Sequence, residues 1–154
     1  MNKKMDYGSE LENIEEVYII EDSGVCLFNH SVGKIDETLF SGFLSSIQTF
    51  LETLGSEKIK KIEMGTSKIT IFNLDEYHIF LVLRSPSKTK DKYIKKKLEE
   101  IQKRFIIKYG GYLVETQVKG LAYNTSQFNS FHEDLKEIFE EEIDKNISNW
   151  MSKF

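Results

Sequence analysis

The side chains of this sequence that could do chemistry are three histidines and one cysteine, and their spacing does not favour a reaction. His30, His78 and His132 lie far apart, and no HxxxH or HExxH pattern places two imidazoles on one metal ion. His78 lies in an apolar stretch, which predicts a core histidine. Cys26 and His30 would share one face of a strand about 13 Å apart, too far for a nucleophile and its base. The sequence therefore predicts no catalytic residue, no cofactor and no metal site, and so no enzyme.

A basic segment between residues 84 and 108 could instead meet anionic lipid or nucleic acid. We favour internal charge pairing, because the last predicted helix is acidic and the net charge of the whole chain is −4. The partner prediction is accordingly no nucleic acid and at most peripheral membrane contact. The charges concerned are Lys88, Lys90, Lys92, Lys95, Lys96, Lys97, Lys103 and Arg104, against Glu133, Asp134, Glu137, Glu140, Glu141, Glu142 and Asp144.

The most unusual segment is Thr38 to Leu51, TLFSGFLSSIQTFL, which has no charge in a chain where 30% of residues are charged. On a helix, its large apolar side chains share one face and small uncharged residues form the other. Small residues let a second backbone approach closely, so this face predicts a protein interface. Coverage by the N-terminal segment or by solvent is the alternative. The predicted interface, called the seam below, contains Ser41, Gly42, Ser45, Ser46 and Thr49, with Ile62 and Met64 of the third strand.

The composition indicates the domain organisation and the cellular location that we expect. With 154 residues and 40% hydrophobic content, we expect a flexible N-terminus over 1–13 and a single domain over 14–154. One cysteine, no signal peptide and no apolar run long enough to span a bilayer predict a cytoplasmic protein.

Apolar periodicity and turn residues predict the order β-β-α-β-β-β-α-α. The strands are expected at Ile14–Glu21, Val25–Ser31, Ile59–Met64, Lys68–Leu74 and Tyr77–Arg84, and the helices at 36–54, 90–109 and 127–151. Gly110-Gly111 is expected to end the second helix, which leaves residues 112–126 ambiguous, with a short strand or an extended connection at 112–118.

These elements predict an α+β fold with a five-stranded, mostly antiparallel sheet. The first and last strands are apolar on both faces and should be adjacent at the centre, and the charged third strand should be an edge. The first helix would then cover one face of the sheet and the other two helices the opposite face.

The opening IEEVYIIEDSGVCLFNHS and the following DETLFSGFLSSIQTFLETLGSEKIKKIEMGTSKITIF resemble the longin domain, and in particular archaeal stand-alone longin-like proteins. The related roadblock family begins with a helix, for which residues 1–13 leave little room. The resemblance implies a non-enzymatic interaction module that forms homo- or heterodimers and acts as a scaffold or regulator of a small GTPase or a vesicle-trafficking complex. A SNARE role is not expected, because no long heptad segment follows the domain.

A ligand-sensing module of profilin-like or PAS-like type is the alternative function. It would need an apolar cavity between the sheet and the first helix, lined by residues such as Phe43, Ile47 and Phe80.

Overall fold

The computed structural model describes residues 14–31 and 59–139, together with Thr49 and Met151. Among these residues five strands form one sheet in the order β2-β1-β5-β4-β3, and each of its four pairings is antiparallel. The predicted α+β class with an antiparallel sheet is confirmed. The strands are β1 (Glu16–Glu21), β2 (Cys26–Ser31), β3 (Ile59–Met64), β4 (Ser67–Leu74) and β5 (Ile79–Pro86).

The centre and the edges of the sheet lie where the apolar pattern predicts them. β5 is the central strand and pairs with β1, and the strands with the fewest apolar residues, β2 and β3, form the two edges. The four consecutive residues from Val17 to Ile20 are buried, as are the five from Ile79 to Leu83. A strand with apolar side chains on both faces must be covered on both faces, as a strand in the interior of a sheet is.

The strand register divides the sheet into two faces, because directly paired residues lie on the same side. We call one the Tyr18 face, since Tyr18 pairs with Val82 and Val82 with Ile71. The other is the Lys68 face, where Lys68 pairs with Ser85. The Tyr18 face carries a buried apolar cluster of Tyr18, Ile20, Ile69, Ile71, Phe80 and Val82.

A β-bulge in β2 separates Cys26 from His30. Ile19 pairs with Phe28 but Ile20 pairs with Cys26, so the register shifts between them. The extra residue reverses the alternation of side chains along the strand. Cys26 therefore lies on the Tyr18 face, while His30 lies on the opposite face opposite Val17. The expectation that both share one face is wrong, because strand periodicity alone does not reveal a bulge.

The start of β5 differs from the prediction. Residues Asp75–Tyr77 form a 3-10 turn, and His78 follows it with a left-handed φ of 57°. The His78 side chain is 61% exposed, with its Nδ1 3.2 Å from Asp22 Oδ2. The prediction of a core histidine is wrong, because the turn between β4 and β5 extends two residues further than the apolar run suggests.

A long helix begins at Asp91 and continues to Lys119 without ending at Gly110-Gly111. Helical residues on both sides of the glycine pair are buried, including Tyr109 and Leu113, and this packing outweighs the low helix propensity of glycine. The prediction of a stop here, and of a strand or extended connection at 112–118, is wrong. The helix ends at Gly120 instead, with φ +65°. Gly120 N–H donates to the Gln117 carbonyl and Leu121 N–H to the Thr116 carbonyl, at 3.2 and 3.0 Å.

The chain divides into two compact units, residues 1–98 and 99–154. In the second unit the long helix is followed by a 3-10 turn, Thr125–Phe128, and by a further helix that the structure describes from residue 131 to residue 139. This further helix begins four residues later than predicted, because the Asn124 side chain accepts a hydrogen bond from Ser126 N–H and caps the 3-10 turn first. The single-domain expectation for 14–154 stays a prediction.

An aromatic cluster forms the core of the second unit. The Phe105 ring lies 5.6 Å from Phe128 and 5.1 Å from Phe131, measured between ring centroids. Above this cluster Lys108 Nζ lies 2.7 Å from Asp134, and Arg104 Nη1 2.5 Å from Glu137. The expected charge pairing between the basic and acidic helices is confirmed for these residues. None of the described helices is long and apolar enough to cross a bilayer.

Candidate interaction surface

The third strand contributes two of the predicted seam residues. Ile62 and Met64 are alternate residues of β3, where Ile62 pairs with Ile69 and Met64 with Ser67. Ile62 is half-buried and packs against the apolar cluster of the Tyr18 face. An isoleucine at a sheet edge, in contact with the core and still partly accessible, suits a strand that meets a partner.

The remaining seam residues lie mostly outside the described part of the chain. Thr49 is helical and exposed, as the predicted helix requires of its small-residue face. Ser41, Gly42, Ser45 and Ser46 lie outside the described residues, as does the predicted helix 36–54 apart from Thr49. The seam therefore stays a prediction.

The opposite face of β3 is anchored by a cluster of three charges that the sequence reasoning missed. Asp91, in the first turn of the long helix, accepts hydrogen bonds from Lys61 of β3 at 2.7 Å and from Lys68 of β4 at 2.8 Å. These two bonds hold the pKa of the Asp91 carboxyl below its ordinary value. The beginning of the helix is thereby fixed to the Lys68 face at the β3 edge. A lysine in a buried strand that has no other charge, as at position 68, is the sequence signal that could have indicated a buried ion pair.

A second polar network crosses the Tyr18 face between β1 and β5. Glu16 accepts hydrogen bonds from the Arg84 guanidinium and from the Tyr18 hydroxyl through its two carboxylate oxygens. Burial, with the Glu16 hydrogen bond, raises the pKa of the Tyr18 phenol. A phenol held protonated and an arginine paired to a carboxylate tie the two central strands together, and this arrangement provides no nucleophile.

The structure also gives the surroundings of Cys26 and His78, which the sequence analysis considered for catalysis and metal binding. Burial raises the pKa of the Cys26 thiol, so the thiolate is disfavoured. Cys26 Sγ lies 3.4 Å from the Phe28 carbonyl oxygen. His78 and Asp22 form an exposed pair at the end of the sheet. Within residues 14–31 and 59–139, no group of three His, Cys, Asp or Glu side chains could hold a metal ion.

Solved structures of low identity resemble this chain. MglC from Myxococcus xanthus is 13% identical, and the match covers 60% of this chain and 87% of that protein with a TM-score of 0.42. MglB from Myxococcus xanthus is 18% identical over 63% of this chain and 87% of that protein, with a TM-score of 0.43. An MglB structure with a tetrameric arrangement is 16% identical, and the match covers 56% of this chain and 71% of that protein with a TM-score of 0.40.

No protein-family profile matches the sequence, and no curated protein matches it. The order and pairing of the strands, and not these likenesses, establish the antiparallel α+β fold.

Proposed function

We propose that this chain is a non-enzymatic interaction module of the longin and roadblock-like type, which pairs through the helix 36–54 and β3. The observation that carries the proposal is the edge position of β3, with Ile62 half-buried beside the apolar Tyr18 face. An uncharged helix face next to the β3 edge would give a continuous surface with few charges to desolvate, as the centre of a protein interface requires.

The arrangement of the first unit supports a place for the predicted helix on the Tyr18 face. The long helix begins on the opposite face, where Asp91 contacts Lys61 and Lys68. β2 and β3, which precede and follow the predicted helix in the chain, lie at opposite edges of the sheet. A helix that connects these edges across the Tyr18 face would direct its large side chains at the buried cluster. Its small residues would then face outward, next to β3.

We further propose that the paired module acts as a scaffold or regulator of a small GTPase. The resemblance to the longin domain supports this, and a role in vesicle trafficking and an archaeal origin rest on the same resemblance. The ligand-sensing alternative stays a hypothesis. Phe80 is buried in the apolar cluster, but Phe43 and Ile47 lie outside the described residues.

The GTPase proposal is tested by affinity capture from the native lysate, with identification of the captured proteins by mass spectrometry. Wild-type chain and Ser45→Arg are compared, with Gln127→Arg as a control that adds the same charge at an exposed position of the second unit. We expect wild type and Gln127→Arg to retain a small GTPase and Ser45→Arg to lose it, because a bulky cation at the seam blocks close approach. Retention of no GTPase by any variant would contradict this role, whatever the oligomeric state.

A further inference from the structure

The solvent face of the long helix becomes apolar over its last three turns. Ile107 is 75% exposed and Val118 80%, with Val114 and, just beyond the helix, Leu121 also exposed. Within the helix, Ile107, Gly111, Val114 and Val118 recur at intervals of four, three and four residues, which places them along one side, and Leu121 follows just after the Gly120 cap. We call these five residues the 107–121 stripe. A solvated helix face ordinarily carries charged side chains, and a continuous exposed apolar face is typical of an interaction site.

Gly111 gives a second, independent indication of a partner. It lies in the interior of the helix and is exposed, and a Cβ built on it would meet no atom within 4 Å. Packing within the chain therefore does not require glycine here, although glycine lowers helix stability relative to alanine. What the missing side chain does permit is the close approach of another backbone from outside, at the middle of the stripe.

The charges beside the stripe suit a second copy of the same helix running antiparallel. Lys108 and Glu115 lie along one edge of the stripe, seven residues apart, on either side of Gly111. In an antiparallel pair with its two-fold axis near Gly111, Lys108 of each copy faces Glu115 of the other. Within one chain Lys108 pairs with Asp134 and Glu115 pairs with Lys119, each at 2.7 Å. The side chains of Lys108 and Glu115 nevertheless stay partly exposed. The interface then gains two reciprocal opposite-charge contacts and no like-charge contact at these positions.

We propose that the 107–121 stripe is a self-association surface on which two copies pair through antiparallel long helices crossing at Gly111. The stripe consists of residues of the second unit, and none of them is a seam residue. Together the two surfaces would allow a pair of dimers to assemble, but the stripe interaction does not depend on the seam.

Sedimentation in the Ser45→Arg background tests the stripe alone, because that variant removes any association through the seam. We expect the full-length Ser45→Arg chain to sediment as a concentration-dependent dimer. Adding Val118→Arg should raise its dissociation constant about tenfold or more, since a cation replaces an apolar side chain at the contact. Adding Gln127→Arg should leave the dissociation constant unchanged. A monomer at all concentrations, or equal effects of Val118→Arg and Gln127→Arg, would overturn the proposal.

Cross-linking gives a readout that does not depend on the folding of the Ser45→Arg chain. In a Cys26→Ser background, Gly111→Cys places the sole thiol at the proposed two-fold axis, within disulfide reach of its symmetry mate. Mild oxidation should give a disulfide-linked dimer with Gly111→Cys and none with Glu99→Cys, an exposed position away from the stripe. Equal cross-linking at both positions, or none at Gly111→Cys, would contradict an antiparallel pair. A Gly111→Cys chain linked to a different protein in lysate, and not to itself, would also reject self-association.

Discussion

Asp91 accepts hydrogen bonds from two lysines that differ greatly in exposure. The side chain of Lys68 is 9% exposed and that of Lys61 45%. An exposed ion pair contributes little to stability because water and salt screen it. A buried ammonium needs its counterion, because an uncompensated charge in the interior is costly. The bond to Lys68 should therefore dominate the contribution of Asp91.

We expect Asp91→Ala to lower the free energy of unfolding by about 1–3 kcal/mol, the cost of leaving a buried charged group without its partner. Lys61→Ala should cost at most about 1 kcal/mol, as for other exposed pairs. Urea denaturation followed by circular dichroism at neutral pH measures both. Equal losses in the two variants would contradict the assignment of the stabilisation to Lys68.

The difference in stability between wild type and Asp91→Ala should depend on pH, and its sign follows from the lowered pKa of Asp91. A carboxyl with a depressed folded pKa stabilises the fold above its unfolded pKa, about 3.9. This stabilisation is lost as the pH falls through the folded value. The difference in stability between wild type and Asp91→Ala should therefore be constant near neutral pH and shrink in acid below about pH 4. A difference that grows with acidification would contradict this sign.

Single residues were the least predictable from the sequence. His78 occupies an apolar run and yet lies exposed in a turn, because only the three-dimensional path shows where β4 ends and β5 begins. Cys26 and His30 lie on opposite faces because one extra residue bulges β2. Neither a turn extension of two residues nor a bulge changes the average composition of a segment, so periodicity does not detect them.

At the scale of elements, two glycines of the long helix have opposite roles and give a matched pair of variants. Gly111 is helical with open space around it, whereas Gly120 has φ +65° at the C-terminal cap. We expect Gly111→Ala to raise the free energy of unfolding of the monomer by about 0.5–1 kcal/mol. Gly120→Ala should lower it by about 1–2 kcal/mol, because an alanine in the left-handed region is strained.

Thermal denaturation at low protein concentration measures the two glycine variants without a contribution from association. A destabilised Gly111→Ala monomer would mean that packing within the chain requires this glycine. The inference that Gly111 leaves space for a partner would then fail.

Strands and their order were predicted well because the apolar pattern reports burial directly. Continuous apolar runs identified β1 and β5 as interior strands, and the charges of β3 identified an edge. The helix boundaries were predicted less well. A glycine pair reads as a stop in the sequence, but buried residues before and after it, such as Tyr109 and Leu113, keep the helix continuous. This error also concealed the 107–121 stripe, whose spacing is recognisable once residues 107–118 are known to be helical.

At the scale of the whole molecule, the proposed function is association with another protein. The sequence predicted a seam from the absence of charge over Thr38 to Leu51, and β3 supplies an edge next to which that helix could pack. The identity of a partner cannot be predicted in this way, because an uncharged surface specifies close packing but few directional contacts. The seam and the 107–121 stripe are therefore tested first by stoichiometry.

The most direct measurement is sedimentation equilibrium of the chain in the Val118→Arg background, where association through the proposed stripe is weakened. Val118→Arg alone should sediment at twice the mass of the chain, because the seam still pairs two copies. The Val118→Arg/Ser45→Arg double variant should sediment as a monomer, and Val118→Arg/Gln127→Arg as a dimer. A Val118→Arg chain that is monomeric, or a dimer that Ser45→Arg does not disrupt, would contradict pairing of two copies through the seam.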